Sequence, residues 1–318
     1  MLEKDSKERK SFYKIKTSEN NKLTGVAFMS LRMKRILNEF SDVLILDSSH
    51  KTNRFNMPLL DGVIINNLGK TSTCYFSLLE RQNFQNYVWA LEKMKSQMTK
   101  IPKVIFTDDE EALTKGKFLL TFINILAIKT VFPRSKNLIC SWHVNQNLKK
   151  RFGFLNRGSN QEKRSLYQKI INLPYENDKD DFEDSYSEAI ESEFLSEDQK
   201  NYLEEKYESK KVWVKAFMKE HFCCGSCTIS QIESKHRVFK RYMNSTRRLT
   251  ELFQVFQELE NREILKFKDE LIKISKTDNK NLEQSKIIKY YADEYSKYAV
   301  LKIKEELIHS VNYSITMK

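Results

Sequence analysis

VLILDSSHKTN, residues 43–53, decides how the rest of the chain is read. Val43, Leu44, Ile45 and Leu46 form an unbroken apolar run of the kind carried by a buried strand, and Asp47 follows at once, with Ser48, Ser49 and His50 behind it. A carboxylate at the end of a core strand is unfavourable unless a cation or a hydrogen-bond network meets it there. Residues 102–113, PKVIFTDDEEAL, repeat the arrangement: Val104, Ile105 and Phe106 lead through Thr107 to Asp108. Two strands are therefore expected to deliver two carboxylates.

Working outward, LLDGVIIN (59–66) and TSTCYFSLL (71–79) predict two strands joined by a turn at Asn67, Leu68, Gly69 and Lys70. With the strand before Asp47 they make an antiparallel three-stranded meander. NFQNYVWALEKMKSQM (83–98) sets Tyr87, Trp89, Leu91 and Met94 among polar and charged residues, which predicts an amphipathic helix crossing back to the strand before Asp108. Upstream, an apolar stretch at 23–29 and a helix over SLRMKRILNEF feed the first strand. Three strands, a helix, then a strand beside the first is the opening of a ribonuclease H-like α/β fold, a mixed sheet of antiparallel meander plus parallel strands.

Asp108 or Asp109 caps a helix expected in 109–132, with Glu110 and Glu111 at its positive end. Residues 131–152 then predict a proline break, a short strand to Cys140, and a helix carrying Trp142, His143 and Asn147. From 160 to 222 the pattern is charged and helical, with the acidic residues of 177–198 read as a solvated face. The resulting division is a disordered lead-in over 1–21, a core over 22–153, a helical insertion over 154–222, a core helix over 223–250 and a C-terminal helical region over 251–318.

The chain has 318 residues, 40% hydrophobic and 31% charged, as expected of a globular protein. Its net charge of +12 suggests a polyanionic partner, a Lys-rich composition being the plainer explanation. Five cysteines, an odd number, form no regular framework and point to a reducing compartment. The charged start MLEKDSKERK predicts no signal peptide. The longest apolar run, FLLTFINIL at 118–126, is about half of the roughly 20 residues that span a bilayer. The expected location is the cytosol or nucleus, without a membrane segment.

Taken together, LILDSSHKTNRFNMPLLDGVIINNLGKT, FTDDEEAL, AIKTVFPRSKNLICSWHVNQNLKK and TISQIESKHRVFKRYM resemble the catalytic domain of Mutator-like element (MULE) transposases, over roughly residues 25–250. FAR-RED impaired response proteins are relatives in which that domain serves transcription. The resemblance implies a DDE-type transposase, with Asp47, Asp108 and Glu233 as catalytic and metal-binding acids and two Mg²⁺ or Mn²⁺ ions. It also implies DNA cleavage and strand transfer, with transposon ends and target DNA as partners, a homo-oligomer on DNA, and the nucleus as location. Such displacements at phosphorus suit paired divalent ions about 3.5–4 Å apart held by carboxylates. The alternative is a domesticated, DNA-binding transcriptional regulator without catalysis, and a third reading is a nuclease of the same fold.

Cys140 and His143 match the family's C-x-x-H motif. They are assigned to packing and hydrogen bonding around the sheet in preference to a structural zinc, which His221, Cys223, Cys224 or Cys227 would have to complete. Lys149, Lys150, Arg151, Lys240, Arg241, Arg247 and Arg248 are candidates for tracking phosphates, against the alternative of solvated helix faces.

The sequence departs from the family in three ways. His50 stands where Tyr is usual. Residues 116–126, GKFLLTFINIL, interrupt the family pattern, and excising them restores it, which suggests an unspliced intron in the gene. No flanking zinc-binding recognition domain or SWIM finger is recognised, consistent with a truncated or decayed copy.

Overall fold

The apolar run that leads to Asp47 is a strand hydrogen-bonded on both sides. In this computed structural model, residues 10–50, 52–108, 118–223, 246–276, 299, 300 and 303 are described. The elements in chain order are β1 (Phe12–Thr17), β2 (Leu23–Met29), α1 (Leu31–Glu39), β3 (Val43–Ser49), β4 (Leu59–Ile65), β5 (Thr71–Leu79), α2 (Phe84–Lys95), β6 (Val104–Thr107), α3 (Phe118–Val131), β7 (Lys136–Ile139) and α4 (Ser141–Phe152). They are followed by α5 (Gln161–Asn172), α6 (Lys179–Glu191), α7 (Glu197–Glu208), a short α8 (Lys215–Met218) and the long α9 (Leu249–Lys276).

The strands form one seven-stranded sheet in the order β1-β2-β5-β4-β3-β6-β7. Pairings from β1 across to β3 are antiparallel, whereas β3 with β6 and β6 with β7 are parallel. The protein is thus α/β with a mixed sheet. The expected meander is β3-β4-β5. Its second turn is built by Asn66, whose side-chain oxygen accepts from the backbone N–H groups of Leu68 and Lys70, while Gly69 supplies φ +64°.

Residues 12–17 fall within the stretch read from sequence as a disordered lead-in, and here they form β1, an edge strand. Edge strands carry lysine and expose part of each face, and this hides their alternation. Lys14 is exposed, whereas Lys16 is half-buried, its Nζ donating to Asn86 Oδ1 at 2.8 Å and lying over the Trp89 ring.

The main apolar cluster joins both faces of the β2-β5-β4 region to α1, α2, α3 and α9. On α9, Phe253 meets Phe28 edge-on and Phe256 stacks on Phe76 with ring centroids 3.8 Å apart. A β-bulge between β4 and β5 pairs Val63 with Thr73 directly after Gly62 with Tyr75, leaving Cys74 outside the register. Glu263 of α9 caps that irregularity: its carboxylate accepts from Thr73 N–H at 3.2 Å and Thr73 Oγ1 at 2.8 Å, and pairs with Arg32 at 3.4 Å. Glu260 accepts from the hydroxyl of Ser30, which itself caps α1 by accepting from Met33 N–H.

Helices α4 to α8 enclose a second apolar cluster centred on Phe152, Ile170, Phe182 and Trp213. Ser141 at the start of α4 donates to the carbonyl of Trp213, fastening this helical unit to the end of β7. Among the described residues, no helix is long and apolar enough to cross a membrane.

Candidate metal centre

Parallel strands present their C-termini on the same side, and the ladder between β3 and β6 closes at Leu46 opposite Thr107. Asp47 and Asp108 are the next residue of each strand path, so register alone brings them side by side. β7 supplies the third component. The N–H of Cys140 donates to the carbonyl of Thr107 at 2.9 Å, and α4 starts immediately afterwards with His143 in its first turn. Ligand atoms of Asp47, Asp108 and His143 all lie within 4.8 Å of one another. Among the described residues this is the one group of three or more His, Cys, Asp or Glu side chains that meets in this way.

Asp108 Oδ1 lies 2.9 Å from His143 Nδ1, and both side chains are 23% exposed. Burial by itself would lower the histidine's pKa, but the contact with Asp108 and the neighbouring Cys140 sulfur outweigh it and push the pKa up to about 10. The contact with Asp108 thus favours the protonated form of His143. Trp142 packs edge-on to its ring, with centroids 4.7 Å apart.

The acids open on a cleft between the strand ends and helices α2 and α3. Its polar lining is Asp47, Ser48, Tyr87, Thr107, Asp108 and Asn124. Ser48 and Tyr87 share a hydrogen bond of 2.7 Å between hydroxyls. Asn124 comes from the 116–126 stretch that interrupts the family pattern, and its Oδ1 is buried. Ile123 packs beside it on the main core. Residues 118–131 run as one helix, so this stretch contributes to both the core and the cleft.

Of the residues singled out from sequence, the structure brings together Asp47, Asp108 and His143. Glu233, Lys240, Arg241, Cys224 and Cys227 lie outside the described residues. Cys140 and Cys223 are buried in one apolar cluster, which fits packing. Lys149 and Lys150 are exposed at the end of α4, whereas Arg151 is engaged with Asp198 at 2.5 Å and lies over the Tyr202 ring. Arg247 accepts the Arg54 N–H through its carbonyl, and Arg248 is exposed at the start of α9.

Sequence reasoning assigned His143 to packing and hydrogen bonding around the sheet, which its contact with Asp108 fits, and did not single out Ser48, Tyr87 or Asn124 for the site. For His143 the signal for a place beside Asp108 was available: an imidazole four residues beyond the end of a strand that parallels the Asp108 strand.

Residues 43–147 match the family model of the MULE transposase domain, a span that contains Asp47, Asp108 and His143. The chain is similar to Protein FAR1-RELATED SEQUENCE 5 of Arabidopsis thaliana, 20% identical over 312 residues, which is 95% of this chain and 36% of that protein. It is also similar to FAR1-RELATED SEQUENCE 6, at 23% over 249 residues, covering 77% and 33% respectively, and to FAR1-RELATED SEQUENCE 11, at 22% over 304 residues, covering 93% and 41%. The chain thus spans between a third and about two-fifths of the length of these plant relatives.

Proposed function

We propose, from a chain whose sequence is MULE transposase-like over 43–147, that this protein is a metal-dependent DNA strand-cleaving and strand-transferring enzyme on a ribonuclease H-like core. The single observation that carries this reading is the convergence of Asp47, Asp108 and His143 at three parallel strand ends. The five strands β5-β4-β3-β6-β7, antiparallel for the first three and parallel for the rest, support the fold assignment.

The two carboxylates suit a divalent cation, since carboxylate oxygen is the preferred donor for Mg²⁺. Bound there, divalent ions supply charge neutralisation at the phosphate and activation of the attacking oxygen. Asp47 and Asp108 would hold the cation, with Glu233 as the third acid that the family resemblance implies. His143 fixes the rotamer of Asp108 through the 2.9 Å contact and keeps that carboxylate facing the cleft. The net charge of +12 favours association with the DNA backbone, and Lys149 and Lys150 are exposed near the same helix. DNA, a homo-oligomer assembled on it and a nuclear location belong to this reading.

The test is Mg²⁺- or Mn²⁺-dependent nicking and joining of DNA carrying the element's terminal repeats. Asp47→Ala, Asp108→Ala and Glu233→Ala are each expected to abolish product. Unchanged cleavage in these variants would overturn the assignment. The second reading, a transposase-derived DNA-binding regulator, is favoured by the similarity to the FAR1-RELATED proteins along 95% of the chain. It predicts DNA binding with no metal-dependent cleavage by the intact protein.

A further inference from the structure

We propose that the loop between β3 and β4 binds an unpaired nucleotide of a DNA strand, with Phe55 stacking on the base and Arg54 and Arg247 meeting phosphate. This inference rests on the DNA-processing reading above and deepens it. The ladder of β3 with β4 closes at Ser49 opposite Leu59, so the connecting loop leaves the sheet at the end where Asp47 lies.

The loop is constructed to hold an aromatic ring in water. Phe55 is 56% exposed, while Thr52, Asn53 and Met57 around it are buried. Asn53 organises the turn: its Oδ1 accepts from the N–H groups of Phe55 at 3.1 Å and Met57 at 3.2 Å, and its Nδ2 donates to the Met57 carbonyl at 2.7 Å. Asn56 adopts φ +54° and donates its N–H to the Asn53 carbonyl. A buried amide thus fixes the backbone on both sides of a phenylalanine that covers no core. A lone exposed apolar residue calls for no explanation. This one is displayed on a pinned tip and stands among cations.

Arg54 Cζ lies 5.2 Å from the centroid of the Phe55 ring. The Arg54 N–H donates to the carbonyl of Arg247 at 2.9 Å, which ties the tip to the segment entering α9 and sets Arg54, Arg247 and Arg248 about one backbone contact. Arg54 and Arg248 are exposed and Arg247 is half-buried. Glu251, in the first turn of α9, accepts from the Arg248 N–H at 3.0 Å and caps the helix. The Nε of Arg247 is buried and has no hydrogen-bond partner among the described residues. A guanidinium donor withdrawn from water requires an acceptor, and the fork of N–H groups suits phosphate or carboxylate oxygen.

The neighbouring ring chooses between those anions. A nucleotide joins a phosphate to a flat base, and so matches the cations and the aromatic together. Stacking of a base on phenylalanine tolerates any sequence. It requires a base that has left its pair, since a duplex offers no free base face along its length. The partner is therefore a single strand or an opened strand end, lying at the same end of the sheet as the acids.

The full chain in EDTA is titrated with fluorescein-labelled oligothymidine and with a long blunt duplex, and binding is read by fluorescence anisotropy. Phe55→Ala is expected to lower affinity for the single strand about 5–150-fold relative to the duplex, the range for loss of one stacked base, and Phe55→Trp to restore it. Arg54→Gln and Arg247→Gln are expected to weaken both DNAs and to reduce the salt dependence by about one phosphate contact each. Arg54 is exposed, so its variant stands if Arg247→Gln fails to fold. An unchanged ratio of single-strand to duplex affinity in Phe55→Ala overturns the proposal. So does a loss of self-association in sedimentation with that ratio intact, which makes Phe55 a contact with a second copy. A parent chain that binds the duplex but not the single strand removes this site and leaves the DNA reading standing. One that binds neither removes both.

Discussion

Replacing His143 with Gln in the metal-free chain takes away the cation that faces Asp108 while preserving a side chain of similar reach. The direction of the effect follows from linkage. A histidine raised from its ordinary 6.5 to about 10 contributes stability that is complete below the unfolded value and is lost as pH rises through the folded one. At pH 7 that pKa difference corresponds to at most about 4 kcal/mol, and partial solvent access at the site reduces the realistic loss to roughly 2 kcal/mol. For a chain of this size, a deficit of that order lowers the melting temperature by about 3 °C. Differential scanning calorimetry in EDTA at pH 7 and above pH 10 measures it. The variant is expected to melt below the parent at pH 7 and to converge with it above pH 10. Equal melting at pH 7, or a gap that widens with pH, refutes the ion pair as the reason for the histidine's placement.

Two further outcomes follow from the same geometry. Glu263→Ala leaves the Thr73 N–H at the β-bulge and the Arg32 guanidinium without its carboxylate, and about 2–4 kcal/mol of stability should be lost in urea denaturation; a change under about 0.5 kcal/mol would show that Glu263 adds nothing to the anchoring of α9. Deleting residues 116–126 removes most of the 14-residue helix α3, including Ile123 from the core and Asn124 from the cleft. The shortened chain is expected to melt at a lower temperature by circular dichroism, whereas a gain in both stability and cleavage would favour the intron reading of that stretch.

How much of this was legible beforehand depends on where each side chain lies. The strands before Asp47 and Asp108 are buried on both faces, so their apolar runs were unbroken and their ends sharply marked. Parallel pairing of β3 with β6 was recoverable from the helix between them, and it brings the two acids together. β1 was not legible because apolar Ile15 is exposed while its neighbour Lys16 is half-buried, and adjacent Phe12 and Tyr13 are both half-buried, so no alternation of apolar and polar residues shows. Asp61 was hidden for the opposite reason. It stands inside an apolar strand as a single charged residue, and only the register with β3 reveals that its neighbour is another acid. His143 lay within a recognised motif, yet its approach to Asp108 depends on how α4 leaves β7, and no periodicity encodes that angle.

The choice between enzyme and regulator turns on what the strand ends cost the fold. Asp47, Asp61 and Asp108 place three acids at the ends of adjacent strands, with Asp61 almost wholly enclosed. For a protein whose task is to bind DNA through its surface, this is the wrong charge near a polyanion, and replacement by apolar residues of similar volume would be neutral or stabilising. A divalent cation held by Asp47 and Asp108, as proposed above, would draw these acids into one favourable arrangement. It also reverses the local potential so that a phosphate can approach. In the catalytic reading proposed above the convergent acids have a task, holding the cation beside a DNA phosphate, and the regulatory reading assigns them none.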